Sequence, residues 1–420
     1  MAACSAQPGT TSQPPSPNET PGSTEPAAPI ELRMTWWGDD TRAAVTNAAL
    51  DLFEDKNPGV TVVRDFSGFD GYLEKITTQY TGGNSPDVFQ FYNDVLVEFA
   101  SRGQLVDLNQ HTASGALSTD GWPQDLLEVN TIGGALSALP FGLNTHGFIF
   151  DTTALEAIGV EPPKEGYTWD DLATFAAKVR EASGGSLAGV TDLSHSYQVF
   201  EVWAKQHGEE YLDANGLAFK PETLKEFWNY WAALRESKGA TPPDVSSEYR
   251  ATPYDAVIAK VATSTFLFGN QYDSVQAKTP NTLRLDRLPG EAGTPGQYMR
   301  TAMNLVVSSQ SKNPEAAVKL VNFLLNDPEA NALLGLNRGF PANANVIDAA
   351  SAQANDNVKR AIEVFESVRG HGAPAPVPAP AGTGTVNALF EEVSQQIQFG
   401  QTTVDQAVES FMTQAASELG

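Results

Sequence analysis

The amino-acid sequence predicts an α/β protein, because strand-like and helix-like hydrophobic periodicities alternate along the chain and are separated by caps and turns. Between residues 30 and 36 apolar and polar side chains alternate, which is the periodicity of a strand. One helix face follows at helical spacing, formed by Val45, Ala48, Ala49, Leu52 and Phe53. Asn57-Pro58-Gly59 ends this helix, and residues 60–63 are strand-like again. The segment therefore predicts a β-α-β unit with two parallel strands and a right-handed crossover.

The same alternation continues beyond this first unit. The pattern predicts a helix over residues 72–80 and a strand over residues 86–91. Thr168 precedes the acidic pair Asp170-Asp171, which is typical of a helix N-cap followed by a first turn that favours negative charge.

Four further sequence patterns predict local structure in the rest of the chain. Asn313 before Pro314 predicts a capped helix whose first position is proline, where the missing N–H costs nothing. Residues 403–406, Thr-Val-Asp-Gln, predict a capping box for the last helix. Residues 213–216 are typical of a hairpin turn. Residues 370–384 are too rich in proline for a helix or strand, so they are predicted to form an ordered loop or crossover.

Length and charge restrict the class of protein. A chain of 420 residues predicts two or three domains. The 51 acidic residues against 26 basic ones give a formal charge of -25, which repels nucleic acid and anionic lipid headgroups and excludes both as expected partners. No window approaches 18 consecutive apolar residues, so no segment is predicted to span a membrane.

The single cysteine, Cys4, follows Ala2-Ala3, and this tripeptide resembles the end of a bacterial lipobox. Residues 5–29 consist largely of proline, serine, threonine and glycine, a composition that predicts a flexible tether. Residues 1–29 are therefore interpreted as a lipoprotein N-terminus that holds the protein on the outer face of the cytoplasmic membrane through a lipid on Cys4. The alternative is an accidental cysteine in an N-terminal tail.

Ligands of open parallel sheets bind beyond the carboxyl ends of the strands. Two clusters of aromatic and polar residues follow the strands predicted at residues 30–36 and 86–91. Their members combine aromatic rings, which cover the apolar faces of sugars, with carboxylates and amides, which bond to sugar hydroxyls. The candidate ligand-binding residues in these clusters are Trp37, Asp39, Asp40, Arg42, Tyr92, Asn93 and Asp94. Trp36 is interpreted as a core residue. For Trp37 and Tyr92 packing and ligand binding remain open, and Asp39 and Asp40 are equally interpretable as helix N-cap residues.

From Ile30 to its C-terminus the chain resembles the extracellular solute-binding proteins that are similar to maltodextrin-binding protein. The resemblance rests on the order and spacing of short motifs: Ser85-Pro86-Asp87-Val88-Phe89, residues 103–108, Ala138-Leu139-Pro140-Phe141-Gly142, residues 147–151, residues 167–172, residues 313–317 and Arg338-Gly339-Phe340-Pro341. It implies a two-lobed, periplasmic-binding-protein-like α/β fold with a hinge and a ligand cleft between the lobes. The lobes it implies are residues 30–143 with 303–348, and residues 144–302 with 349–420.

The resemblance also implies ligand-binding positions. Asp94 stands where relatives often have a sugar-binding aspartate, and Asn144 where they place a polar ligand-binding side chain. His146 is added because it follows Asn144 by two residues. Further positions are His195 and Tyr197, which lie near an aromatic cleft segment of relatives, and Asn270, Arg338 and Asn387. Near Asn270 this chain lacks the Pro-Trp pair of relatives, so a stacking ring is not expected there.

The resulting functional expectation is a monomeric, extracytoplasmic protein that binds a neutral oligosaccharide and delivers it to the permease of an ABC importer. No cofactor, metal site or catalytic residue is expected, because the five histidines lack metal-ligand spacing and no nucleophile motif is complete. A binding protein for a polyol, a glycerophosphodiester or a peptide is the alternative, and phosphate recognition would use Arg42 and Arg300. A glycoside hydrolase, with Asp94 facing Asp39 or Asp40, is the remaining enzymatic alternative.

Overall fold

The structure is a computed structural model. Apart from residues 1–3, its description of the chain begins at residue 28. The described residues are 1–3, 28–290, 294–376, 380 and 382–419. Cys4 and most of the predicted tether lie outside them, so the lipid anchor stays a prediction. The backbone of Asp94 is described, whereas its side chain lies outside the description.

Eleven strands are present in the described part of the chain. They are β1 Ile30–Trp37, β2 Val60–Ser67, β3 Val88–Phe91, β4 Thr131–Ile132, β5 Ala135–Leu136, β6 Leu139–Asp151, β7 Leu212–Asp213, β8 Gly216–Leu217, β9 Ser264–Phe268, β10 Leu283–Asp286 and β11 Met299–Val307.

Eighteen α-helices accompany them in the same described ranges. They are α1 Asp40–Lys56, α2 Tyr72–Thr81, α3 Leu96–Ser101, α4 Asn109–Ala113, α5 Gln124–Glu128, α6 Thr152–Ala157, α7 Trp169–Ala182, α8 Tyr197–Gln206, α9 Pro221–Glu236, α10 Pro243–Glu248, α11 Pro253–Ile258, α12 Tyr272–Gln276, α13 Pro314–Asn326, α14 Pro328–Leu334, α15 Ile347–Ala350, α16 Asp356–His371, α17 Thr383–Gln398 and α18 Val404–Leu419. Short 3₁₀ turns cover Asn93–Val95, Gly269–Gln271 and Ala344–Val346. None of the described helices combines the length and the apolar character that a membrane crossing requires.

The main sheet has seven strands in the order β10-β6-β11-β3-β1-β2, with β9 also paired to β6. Strands β1 and β2 are parallel, as are β1 and β3, whereas β11 runs antiparallel to β3 and β6. The predicted β-α-β unit, its parallel strands and the α/β class are therefore confirmed.

Strand β6 links two halves of the molecule. Its residues up to Thr145 pair with β11, and its residues from His146 onward pair with β9 and β10. All thirteen of its residues are buried, so both of its faces are covered along the whole length. The strand thus runs from one packing environment into the other without reaching the surface.

The apolar residues form two separate cores. The first core gathers side chains around β1, β3, β11, α1 and α13, and the second gathers those around α7, α8, α9, α17 and α18. Helix α16 contributes Val364 and Phe365 to the first core, although the predicted second lobe contains this segment. The predicted lobe boundaries remain a prediction.

The structure confirms the sequence-based predictions for two helix N-termini and one hairpin turn. Thr168 and Asp171 form the capping box that starts α7. Thr403 and Gln406 form the reciprocal bonds of a capping box before α18. Residues 213–216 form the tight connection between β7 and β8. These features depend on residues within a few positions of one another, so the sequence contains all of their partners.

Three local predictions need correction. The buried face of α1 consists of Ala43, Thr46, Ala49, Leu50 and Phe53, so it is rotated from the predicted stripe and shares only Ala49 and Phe53 with it. Asn313 makes no side-chain cap bond, although Pro314 does open α13. The loop predicted for residues 370–384 is shorter at both ends, since α16 extends to His371 and α17 begins at Thr383.

Candidate functional site

A cleft between elements of the two cores encloses about 970 Å³, part of it open to solvent. The turn after β3 and helix α3 contribute to one wall, and α8, the segment before β7 and α17 contribute to the other. The start of β11 forms the floor. The described lining residues are Asn93, Leu96, Val97, Val129, Tyr197, Glu201, Lys205, Glu210, Tyr211, Leu212, Tyr298, Arg300, Thr301, Ala375, Pro376, Thr383 and Asn387.

Three tyrosines line this cleft, of which Tyr197 is partly exposed while Tyr211 and Tyr298 are buried. Tyr197 and Tyr211 stack with ring centroids 5.9 Å apart and an angle of 21° between their planes. Tyr298 is almost completely buried and donates its hydroxyl hydrogen to Glu201 Oε2. Burial raises the pKa of the Tyr211 and Tyr298 hydroxyls, so both rings keep a neutral hydroxyl group.

The charged side chains of the cleft are arranged in opposite pairs. Lys205 Nζ donates to Glu210 Oε1 at 2.6 Å and to the Pro374 carbonyl at 3.1 Å. Burial raises the pKa of Glu201, while the nearby positive charges of Arg300 and Lys205 oppose this shift. Two carboxylates and two cations therefore stand together among the described lining residues, without an excess of either sign.

Three polar atoms of the lining have no hydrogen-bond partner within the described part of the chain. They are Tyr211 Oη, Thr301 Oγ1 and Asn387 Oδ1, and each is buried. A buried polar group without a partner costs about 1–3 kcal/mol. The three residues come from a loop, a strand and a helix, and all of them line the same cleft.

Among the sequence-predicted residues, Asn93 and Tyr197 line the cleft, and so does Asn387. Asn93 Oδ1 accepts a hydrogen bond of 2.6 Å from Asn304 Nδ2, which fixes its side chain against β11. The backbone of Asp94 lies in the turn that directly follows Asn93. The structure thus brings the end of β3 and the start of α8 together at one cleft.

Trp37 and Tyr92 lie beside the cleft, within an aromatic cluster. Their ring centroids are 6.1 Å apart in an edge-on arrangement. Trp37 is 8 % exposed and belongs to the first core, so packing accounts for most of its surface. Trp36 is fully buried, which confirms its interpretation as a core residue.

The remaining residues of the first strand-end cluster take structural positions. Asp39 caps α1 by accepting a hydrogen bond from the Arg42 amide, and Asp40 begins the helix. The Arg42 side chain donates to the side chain and the carbonyl of Asn337. Asp39, Asp40 and Arg42 therefore lie outside the described lining, and a ligand contact for them stays a prediction.

Arg338 lies in the first half of the molecule and is 4 % exposed. Its Nε and Nη2 atoms donate to Gln90 Oε1 and Thr46 Oγ1, and its guanidinium lies 4.3 Å from the centroid of the Phe141 ring. Burial lowers the pKa of Arg338, and the nearby Arg42 adds to that shift. The residue borders a small internal cavity and not the cleft.

Asn144 and His146 are buried on β6 and are not among the described lining residues of the cleft. Asn144 stands opposite Arg300 in the register of β6 and β11. The His146 ring lies against the rings of Phe266, Phe268 and Tyr298, and neither of its nitrogens has a partner among the described residues. Burial, assisted by Arg300, lowers the pKa of His146 to about 3.

His195 and Asn270 lie in two further crevices. His195 borders a cavity of about 690 Å³ together with Arg250 and Phe268, and burial lowers its pKa to about 4. Asn270 is exposed in the turn after β9 and borders a groove beside α12 and α14. The structure therefore does not bring these two residues together with Asn93 and Tyr197 in one cleft.

Sequence reasoning missed several lining residues, among them Glu201, Lys205 and Tyr211. Tyr197, Glu201 and Lys205 are spaced four residues apart, which places them on one face of α8. That spacing could have predicted a polar cleft face. Tyr298 and Thr301 carried no such signal, because only the pairing of β11 with β6 brings them to the cleft floor.

The described residues contain no cluster of three or more histidine, cysteine, aspartate or glutamate side chains that could hold a metal ion.

We expect acidification from pH 7 to pH 5 to destabilise the parent protein by about 1–2 kcal/mol more than a His146→Leu variant. The folded pKa of about 3 lies below the ordinary value of 6.5, so between these values only the unfolded chain takes up the proton. Stability that is present above pH 6.5 is therefore lost as the pH falls. The raised pKa of Glu201 acts in the opposite direction, but it does so in both proteins.

Urea unfolding at both pH values measures this difference, with the exposed His371→Leu as the control. Equal losses of stability in the parent and in His146→Leu would show that His146 does not stay neutral in the fold.

The family model of bacterial extracellular solute-binding proteins matches residues 48–361 of this chain. Among solved structures, an extracellular solute-binding protein family 1 member from Alicyclobacillus acidocaldarius is 29% identical, with a TM-score of 0.79, and the alignment covers 94% of this chain and all of that one. A putative binding protein of Brucella abortus is 25% identical over 300 residues, 69% of this chain and 70% of that one. The diacetylchitobiose binding protein DasA of Streptomyces coelicolor is 23% identical over 298 residues, 65% of this chain and 64% of its own length. The predicted two-lobed fold and the resemblance are confirmed by these similarities.

Proposed function

We propose that this chain, which belongs to the family of bacterial extracellular solute-binding proteins, binds a neutral oligosaccharide in its cleft and delivers it to the permease of an ABC importer. The observation that carries the proposal is the set of unpartnered polar atoms on Tyr211, Thr301 and Asn387 beside the tyrosine rings of the same cleft. Sugars carry many hydroxyl groups on a partly apolar ring. They can therefore bond to polar atoms of the cleft and cover the partly exposed Tyr197 ring at the same time.

The charges of the cleft support a neutral ligand. The pairing of Lys205 with Glu210, and the position of Arg300 near Glu201, leave no surplus charge among the described lining residues for a charged ligand. An anionic ligand would have to compete with these carboxylates for the same cations. The relative DasA is named as a diacetylchitobiose binding protein.

Ligand contacts are proposed for Asn93 and Tyr197 from their positions in the cleft, and for Asp94 from the position of its backbone. A carboxylate at Asp94 would accept hydrogen bonds from sugar hydroxyls. The permease partner, the monomeric state and the lipid anchor at Cys4 belong to the same proposal, which rests on the family and on the tripeptide Ala2-Ala3-Cys4. The proposed role is binding without chemical turnover, as in the family.

A panel of neutral oligosaccharides is expected to contain at least one that raises the melting temperature, because a ligand that binds only the folded state stabilises it by mass action. The same screen should also contain the competing ligand classes: polyols, glycerophosphodiesters, short peptides and acidic sugars. Calorimetry then gives the affinity, and chromatography after overnight incubation is expected to recover the sugar unchanged.

Stabilisation by a peptide, a polyol or a glycerophosphodiester in place of a sugar would contradict the carbohydrate proposal, and cleavage of the sugar would contradict binding without turnover. Small-angle scattering on the same samples is expected to give a smaller radius of gyration with the sugar, because a ligand that contacts both walls favours the closed cleft.

A further inference from the structure

Arg338 is a buried cation whose charge no carboxylate balances within the described part of the chain. The residue is 4 % exposed, and none of the described aspartates and glutamates forms an ion pair with it. The charged group that does act on it is Arg42, which is also a cation. A buried charge without a counterion is unfavourable, because the protein interior does not replace the solvation that water provides.

The hydrogen bonds of Arg338 use only one edge of its planar guanidinium group. Nε donates to Gln90 Oε1 at 3.0 Å, and Nη2 donates to Thr46 Oγ1 at 2.7 Å. The ring of Phe141 covers a face of the group. Nη1 belongs to the edge opposite Nε, is buried and has no hydrogen-bond partner among the described residues. Both N–H groups of Nη1 therefore remain available to an acceptor.

The cavity that Arg338 borders has room for about one occupant of the size of a water molecule. Most of the side chains around it are apolar, and its described lining contains no aspartate or glutamate. Two other polar side chains border it, Trp122 and Asn331, and both donate their hydrogens to groups elsewhere in the fold. Arg338 therefore provides the charge beside this cavity, and the sign of that charge favours an anion.

We propose that this cavity binds a monatomic anion at the Nη1 edge of Arg338, with chloride as the expected ion. A water molecule could accept the same hydrogen bonds, but it would leave the charge of Arg338 uncompensated. An anion accepts the bonds and balances the charge at the same time. The size of the cavity favours a monatomic ion over sulfate, phosphate or a carboxylate. The site is separate from the cleft and does not depend on the proposed function.

The anion would stabilise the packing of the Arg338 segment on β6, the strand that links the two halves of the molecule. Phe340 exchanges two backbone hydrogen bonds with Leu143 of this strand. The carbonyl oxygen of Arg338 lies so close to Gly142 that a Cβ atom on that glycine would be 2.2 Å from it. Because the folded chain buries the charge at this junction, an ion that balances the charge favours the folded state.

Thermal unfolding of the full chain tests the proposal when chloride replaces gluconate at constant ionic strength, since gluconate is too large for the cavity. In about 300 mM salt this replacement is expected to raise the melting temperature of the parent by about 2 °C or more relative to its effect on Arg338→Met, because the anion binds only the folded parent. Arg102→Met is the matched control. It removes an exposed arginine, which pairs with Glu98 at the surface, and is expected to respond to chloride as the parent does.

Bromide soaked into crystals of the parent gives a second, independent measurement. An anomalous scattering peak is expected in the cavity, within hydrogen-bonding distance of Arg338 Nη1. Absence of a peak at this position, or an equal response of the parent and Arg338→Met to chloride, would overturn the anion site. If Arg338→Met does not fold, the bromide measurement on the parent decides by itself.

Discussion

The double variant Tyr211→Phe/Asn387→Ala is expected to bind its sugar about a hundredfold more weakly than the parent, or worse. Both side chains present a buried polar atom without a partner in the described chain, and a ligand hydroxyl is the expected partner of each. When these atoms are removed, two ligand hydroxyls stay buried and unpaired, at about 1–3 kcal/mol each. Neither change removes a hydrogen bond that the described structure contains, so the stability of the unliganded protein is expected to stay close to that of the parent or to rise.

Calorimetry with the best-binding sugar measures the loss, and circular dichroism checks the fold. Tyr230→Phe is the matched control, because it removes a tyrosine hydroxyl of the second core that donates to the Trp169 carbonyl and does not line the cleft. Parental affinity in a folded double variant would show that the ligand binds elsewhere, and a similar loss in Tyr230→Phe would point to a general disturbance of this core.

Gly339→Ala is expected to lower the free energy of unfolding by about 3 kcal/mol or more. Gly339 has a φ of +108°, and a Cβ atom at this position would lie 2.3 Å from the carbonyl oxygen of Leu143. The same segment exchanges two backbone hydrogen bonds with β6, from the Leu143 amide to the Phe340 carbonyl at 2.7 Å and from the Phe340 amide to the Leu143 carbonyl at 2.8 Å. An added methyl group therefore forces the segment away from the strand that links the two halves of the molecule.

Chemical unfolding of the Gly339→Ala and Gly83→Ala variants, measured in parallel, separates the effect of steric contact on stability from the effect of backbone strain. Gly83 also has a positive φ, +69°, but nothing lies within 4 Å of the Cβ position, so its substitution should cost only about 1 kcal/mol. Equal destabilisation of the two variants would mean that the approach of Gly339 to β6 adds nothing to stability.

The sequence by itself determined the features whose partners lie close together in the chain. The periodicity of residues 30–36 and 60–63 was sufficient to predict the two parallel strands. The N-cap at Thr168 and the capping box at Thr403 were visible because each bond spans three residues. The short motifs around residue 93 and residue 197, read through their resemblance to a family, also led to two segments that do line the cleft.

Only the tertiary structure decided which side chains share the cleft and which are buried. Glu201 and Tyr298 are 97 residues apart, and they meet because β11 packs beside β6 while α8 covers its start. Arg338 was a candidate ligand contact, yet it is buried inside the fold, where Gln90 and Thr46 accept hydrogen bonds from two of its nitrogens. Burial and pairing of this kind depend on long-range packing, in which a side chain's neighbours come from distant parts of the chain. Sequence periodicity reports only which face of an element is apolar, and so it predicted the strands and helices but not the partners of their polar side chains.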